Sequence, residues 1–233
     1  MKKFIAVVLK KHFLFIILIP VVVVSQYYIL APHLKFGLID LDDGYTYGFI
    51  LSKEKHPNVI DFLITSYKEW QAVYLHQFYY VGLLNHFFGD NFLAFHYVTH
   101  FFKIIASLSM YPLFFILSGS SLVAFISVLF YAFSYNAAGA LESVIQSSDY
   151  PAIFMLSIFL SIYFYLIRRV RKVFKPSVVL IALLFLLSAL IFSTERTYPI
   201  IPLIVIVEFI LFFLNRSKTN RIQILKRVGV LLG

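Results

Sequence analysis

The sequence predicts an all-α fold, a polytopic transmembrane helical bundle, and three observations carry that prediction. Hydrophobic residues make up 61% of the 233 positions and charged residues only 13%, with a mean hydropathy of +0.88. A water-soluble domain of this size with that balance would expose large apolar patches, so lipid is the fitting solvent. Apolar stretches of about 20 residues recur along the chain, the length that crosses about 30 Å of hydrocarbon. Lys and Arg are gathered into alternate connecting segments, and the 27 Phe and 16 Tyr suit packing in lipid and anchoring at headgroup level.

The first apolar stretch, Phe13 to Leu30, follows Lys2, Lys3, Lys10 and Lys11. It is too long for the apolar part of a signal peptide, and no small-x-small cleavage site precedes Pro32, so it reads as a retained span. Residues 31–91 form a long outer segment punctuated by Gly44, Gly48 and Pro57. From Pro57 onward, VIDFLITSYKEW and then QAVYLHQFYYVGLLNHFF place apolar and aromatic residues at helical spacing. Glu69, His76, Asn85 and His86 interrupt that pattern, so two interfacial amphipathic helices are expected there in place of a span. Five more spans follow: Phe92 to Leu117, Leu122 to Ala138, Ala152 to Ile167, Ser177 to Phe192 and Tyr198 to Leu214. Residues 228–233, VGVLLG, read as the start of a possible seventh span, so that 1–233 is a single membrane domain whose chain is expected to continue.

Charge sets the orientation, because Lys and Arg near span ends stay cytoplasmic. With the N-terminus inside, fourteen of the 20 Lys and Arg residues lie in inside segments, at Lys2 to Lys11, Arg168 to Lys175 and Arg216 to Arg227. The acidic residues lie outside or at outer span ends, with the exception of Glu208, and none is in an inside loop. The net charge of +9 is therefore a topology signal, with anionic membrane lipids as the partner and no nucleic acid implied. The absence of cysteine excludes disulfides, thiolate metal sites and a cysteine nucleophile.

The outer side holds the residues suited to chemistry. Asp42 and Asp43 follow the first span in FGLIDLDDGYTYGFI; such carboxylates serve as a general base or help hold a divalent cation, the alternative being a solvated turn at Gly44. Asp149, in SSDYPAIF, stands just before Pro151 at the outer start of a span, where a helix cap is the local alternative. Glu195 and Arg196 occupy the outer turn between the last two spans; Arg presents a fork of donors to phosphate, whereas mutual neutralisation is the simpler reading. His96 and His100 share a helix face at the spacing of paired metal ligands, without an HExxH motif. Lys103, one turn on, either snorkels to the interface or meets an anionic donor. Asn215-Arg216-Ser217 fits a glycosylation sequon but falls on the inside.

A first span, then an outer segment opening on LDDGY and running into interfacial helices, is similar to the GT-C superfamily of membrane glycosyltransferases. Bacterial members related to protein O-mannosyltransferases and to the aminoarabinose transferase of lipid A are nearest in pattern. SSDYPAIFMLSIFLSIYFYLIRR resembles the family's outer Asp followed by Pro and an apolar aromatic helix ending in basic residues. KPSVVLIALLFLLSALIFSTERTYPIIPLIVIVEF is similar to its paired spans joined by a short outer turn, although Glu195-Arg196 stands where the family usually has a Lys in a Leu-rich context. The resemblance implies sugar transfer from a polyprenyl-phosphate-linked donor to a lipid, glycan or protein hydroxyl on the outer face of a bacterial plasma membrane. It implies Asp42 as the catalytic carboxylate with Asp43 beside it, Asp149 as the second acidic position, and Arg196 on the phosphate side, with Glu195 and Lys103 close to substrate. The reaction would invert the anomeric centre, and a divalent metal ion at Asp42 and Asp43 is compatible with it but not required. A transporter or flippase, or a non-catalytic assembly subunit, are the alternatives; a transporter would carry charges and helix breaks near the midplane, where this chain has Glu208 alone.

Overall fold

The computed structural model describes residues 2–30, 61, 75–133, 149–168, 176–192, 199–214, 222, 224 and 225. Among these, every regular element is an α-helix: α1 (Lys2–Leu30), α2 (Leu75–Phe88), α3 (Phe92–Ser118), α4 (Ser121–Phe133), α5 (Asp149–Arg168), α6 (Pro176–Phe192) and α7 (Ile200–Leu214). Two of them, over Phe92–Ser118 and Asp149–Leu166, are long and apolar enough to cross a membrane. Phe13–Ile29, Ser121–Phe133, Leu180–Leu190 and Ile200–Ile210 are shorter apolar helical stretches.

Local signals in the sequence explain where these helices start and stop. Asn91 caps α3, its side chain accepting from the Ala94 N–H at 3.2 Å. Gly119 ends the helix with φ +73°, a left-handed conformation that costs glycine little, and its N–H donates to the Phe115 carbonyl at 2.9 Å. Pro20 and Pro112 lie inside α1 and α3, each removing one backbone donor without ending its helix. Ahead of α3, Gly89 at φ +59° turns the chain out of α2, and the Asn85 side chain fastens that turn by donating to the Gly89 carbonyl at 3.0 Å and to Asp90 Oδ1 at 3.2 Å.

Three differences from the sequence expectation have physical causes or bounds. Helix α5 begins at Asp149, three residues ahead of the expected Ala152, because a proline in the first turn of a helix lacks only an N–H that has no intrahelical partner there. Asp149 is consequently a first-turn residue, and its carboxylate sits at the positive end of the helix dipole. Helix α4 is described as far as Phe133, and 134–138, expected to complete its span, lie outside the described residues. Of the two expected interfacial helices, the first lies outside the described residues apart from Asp61; the second, α2, does not rest free on a surface but buries Tyr80, Val81, Leu84 and Asn85 against α3. It also touches α6, while His86, Phe87 and Phe88 stay exposed.

Helix α3 organises the bundle. It packs along α1, α4 and α5; α5 in turn packs on α6, and Ile204 of α7 joins Phe159, Tyr163, Ala182 and Leu186 in the core between α5 and α6. Phe15 near the start of the apolar part of α1 meets Tyr111 near the end of α3, ring centroids 4.7 Å apart, whereas Ile29 near the end of α1 packs beside Ala106. Helices α1 and α3 are therefore antiparallel. The tight turn at Gly119 reverses the chain into α4, so α1 and α4 run in the same direction. Their contact is a ladder of four-residue steps, Leu18, Val22 and Gln26 on α1 and Ala124, Val128 and Ala132 on α4, all buried. The small alanines let the two backbones come close.

Candidate functional site

The buried polar side chains of α3 fall on one stripe. His96, Thr99, Lys103 and Ser107 recur at three- and four-residue steps and all are buried, while Leu93, Tyr97 and Phe101 on the other side of the helix are exposed. The stripe faces α2 and the head of α5. Tyr80 of α2 shares a hydrogen bond with Thr99 through their hydroxyls, 3.3 Å apart. Ser107 Oγ donates to the Lys103 carbonyl at 2.8 Å.

Lys103 is fully enclosed, with a relative exposure of 0%, and its Nζ lies 5.7 Å from the centroid of the Tyr150 ring. A desolvated ammonium over an aromatic face gains about 2 kcal/mol from the ring quadrupole. Taking that ammonium out of water costs several kcal/mol, so a lysine kept here is one the fold tolerates at a cost. Tyr150, itself buried, packs with Ala106 and is flanked by Ile29, Phe102, Ile153 and Phe154. Asp149, also buried, is its neighbour in the first turn of α5.

The last turn of α1, the last described turn of α4 and the first turn of α5 thus meet around the middle of α3. That junction gathers two of the residues expected at a site from sequence, Lys103 and Asp149. The arrangement brings together a cation and hydroxyl groups, the chemistry that suits an anionic oxygen, with Asp149 next in the chain to Tyr150. The packing of α5 on α3 holds Lys103 buried, its ammonium beside Tyr150.

His96 and His100 stand one turn apart on α3, as the sequence spacing requires. Among the described residues no three His, Cys, Asp or Glu side chains come together in a way that could hold a metal ion. Asp42, Asp43, Glu195 and Arg196 lie outside the described residues.

Sequence reasoning passed over Tyr150, Tyr80 and Thr99. Tyr150 sits next to the singled-out Asp149 and could have been found by asking what the helix following an acidic residue turns inward. It also passed over Gln26, whose signal was present: an amide in an apolar stretch that runs from Phe13 to Leu30. Gln26 is fully buried, and its Nε2 donates to the Ala132 carbonyl at 2.7 Å.

No protein-family model, curated protein or solved structure matches the chain.

Proposed function

We propose that this chain is a multi-pass membrane protein with a cytoplasmic N-terminus that acts as an inverting glycosyltransferase of GT-C type, moving a sugar from a polyprenyl-phosphate-linked donor to a hydroxyl on the outer face. The observation that carries the reading is the convergence of Lys103, Tyr150 and Asp149 where α1 ends and α5 begins. Two helices of membrane-crossing length support the membrane setting, as do the outward apolar faces of α6 (Leu180, Leu184, Leu187) and α7 (Leu203, Ile206, Phe209, Phe213). The sidedness of Lys and Arg supports placing that junction on the outer side.

In this reading six spans, 13–30, 92–117, 122–138, 152–167, 177–192 and 198–214, carry the chain through the membrane. Asp42 takes the proton from the acceptor hydroxyl, whose oxygen attacks the anomeric carbon on the face opposite the lipid phosphate. The bond from that carbon to the phosphate oxygen breaks, and the phosphate leaves with the electron pair. Lys103 and Arg196 meet the charge that grows on it, and Asp149 and Glu195 orient the sugar hydroxyls. Such a site is most effective where water is scarce, which is the environment that the enclosed Lys103 already has.

The test is Asp42→Asn in the full-length protein. Sugar transfer is expected to fall at least 100-fold, the scale of a lost general base, with membrane insertion unchanged. Undiminished transfer removes Asp42 from the catalytic role. One observation favours a second reading, a transporter: Glu208 is buried with 1% exposure near the middle of α7. Glu208→Gln separates the two, since the transferase reading expects sugar transfer to survive it and the transporter reading expects loss of flux.

A further inference from the structure

Gln26 is the one buried residue of α1 whose side chain reaches another helix by a described hydrogen bond. The bond joins residues 106 positions apart, and it lies at the end of the Leu18, Val22, Gln26 ladder, against Ala132 in the last described turn of α4. The bond ties a side chain of one helix to the backbone of the other, and it is directional. The Gln26 oxygen, Oε1, is buried and has no hydrogen-bond partner among the described residues. A leucine or methionine would leave no unsatisfied buried acceptor of its own, a group that costs about 1–3 kcal/mol, but it would give up the bond to the Ala132 carbonyl. That directed bond is what the amide offers and an apolar side chain does not.

We propose that Gln26 is a positioning residue, a clamp that fixes the end of α1 against the end of α4 beside the head of α5. From these two ends depart the chain segments that lead to Asp42 and to Asp149, and Ile29, one turn after Ser25 and Gln26, already packs beside Tyr150. A single interhelical hydrogen bond is a small energy, but it acts one turn before Ile29, which packs on the Ala106 and Tyr150 cluster, so sliding of α1 along α4 changes the spacing there. The ladder of Leu18 and Val22 on alanines resists separation of the helices and offers little against such sliding. The directional bond supplies the register. The consequence for catalysis rests on the transferase reading; the clamp does not.

The experiment uses the full-length protein in lipid nanodiscs and has two arms. The natural absence of cysteine allows Tyr28→Cys and Phe133→Cys, both at exposed positions, to carry spin labels without further changes. With Gln26 in place the distance distribution is expected to be single and narrow; with Gln26→Leu or Gln26→Met it shifts or broadens. An unchanged distribution in both variants overturns the clamp. The second arm measures sugar transfer per folded molecule: kcat is expected to fall about tenfold with the KM for the donor unchanged, as for a site whose groups are displaced and not removed. A lower melting temperature with unchanged kcat would mean a purely structural bond and overturns the positioning role. Absence of transfer by the unaltered protein would sink the transferase reading, while the distance arm still decides the clamp.

Discussion

Lys103 shows how a single side chain gains meaning from its surroundings. In the sequence it is one cation among 20, four residues after a threonine and three after a histidine, and both an interfacial and a substrate-binding role fit it. In the folded chain it is buried beside Tyr150, and the substrate-binding role is the one proposed here. Lys103→Met keeps the length and apolar stem of the side chain, so the bundle is expected to fold. Binding of a polyprenyl phosphate should weaken roughly tenfold to 100-fold, the worth of a charge-assisted hydrogen bond, with a polyprenyl alcohol unaffected. Equal binding of the phosphate by both proteins would remove Lys103 from the site. Tyr111 makes the opposite case. Its ring packs on Phe15 and stacks on Phe115, but its buried hydroxyl has no hydrogen-bond partner among the described residues. Tyr111→Phe keeps the ring and removes the unsatisfied group, so unfolding in detergent should show a protein equally stable or about 1 kcal/mol more stable. Neither distinction was legible in the sequence, because whether a polar atom is satisfied depends on which helix stands opposite, and spacing along one helix does not say.

The helices themselves were largely legible. The apolar run Phe92 to Leu117 marks α3 to within a residue of its observed ends, where the structure shows Asn91 and Gly119 as caps. Helix α2 was harder. Its apolar and aromatic residues surround the helix, so periodicity alone gave a surface-lying element where the structure has a stripe of Tyr80, Val81, Leu84 and Asn85 turned into the bundle. What the sequence could not express is pairing. The ladder between α1 and α4 depends on Ala124 and Ala132 facing Leu18, Val22 and Gln26 across more than a hundred residues of chain. Ala132→Leu places a larger side chain, with no room at 1% exposure, into that contact, and a loss of about 1–3 kcal/mol is expected from overpacking. Ser127→Ala, at a half-buried position on the same helix, should change stability little; equal losses in the two variants would deny the ladder its importance.

At the scale of the whole molecule, the directions of the helices and the distribution of charge make one joint prediction. The turn from α2 into α3 and the turn from α3 into α4 stand at opposite ends of α3. On the Lys and Arg pattern the first is outside and the second inside. In the cysteine-free chain, Asp90→Cys should react in intact cells with a membrane-impermeant thiol reagent, and Ser118→Cys only after the membrane is opened; the reverse pattern would turn the bundle over and put the junction of α1, α4 and α5 on the cytoplasmic side. The helical class is a property that composition reveals early, because it follows from transfer between water and lipid summed over many residues. A site depends on a few side chains brought together by distant segments, and only Lys103 and Asp149 among those expected from the sequence are seen to share that junction. The most direct measurement is an experimental structure of the full-length protein with a polyprenyl phosphate bound. The phosphate is expected at the head of α5, within hydrogen-bonding distance of Lys103 Nζ and beside Asp149; a phosphate bound beside Glu208 in the middle of α7, or nowhere within the bundle, would contradict the proposed site.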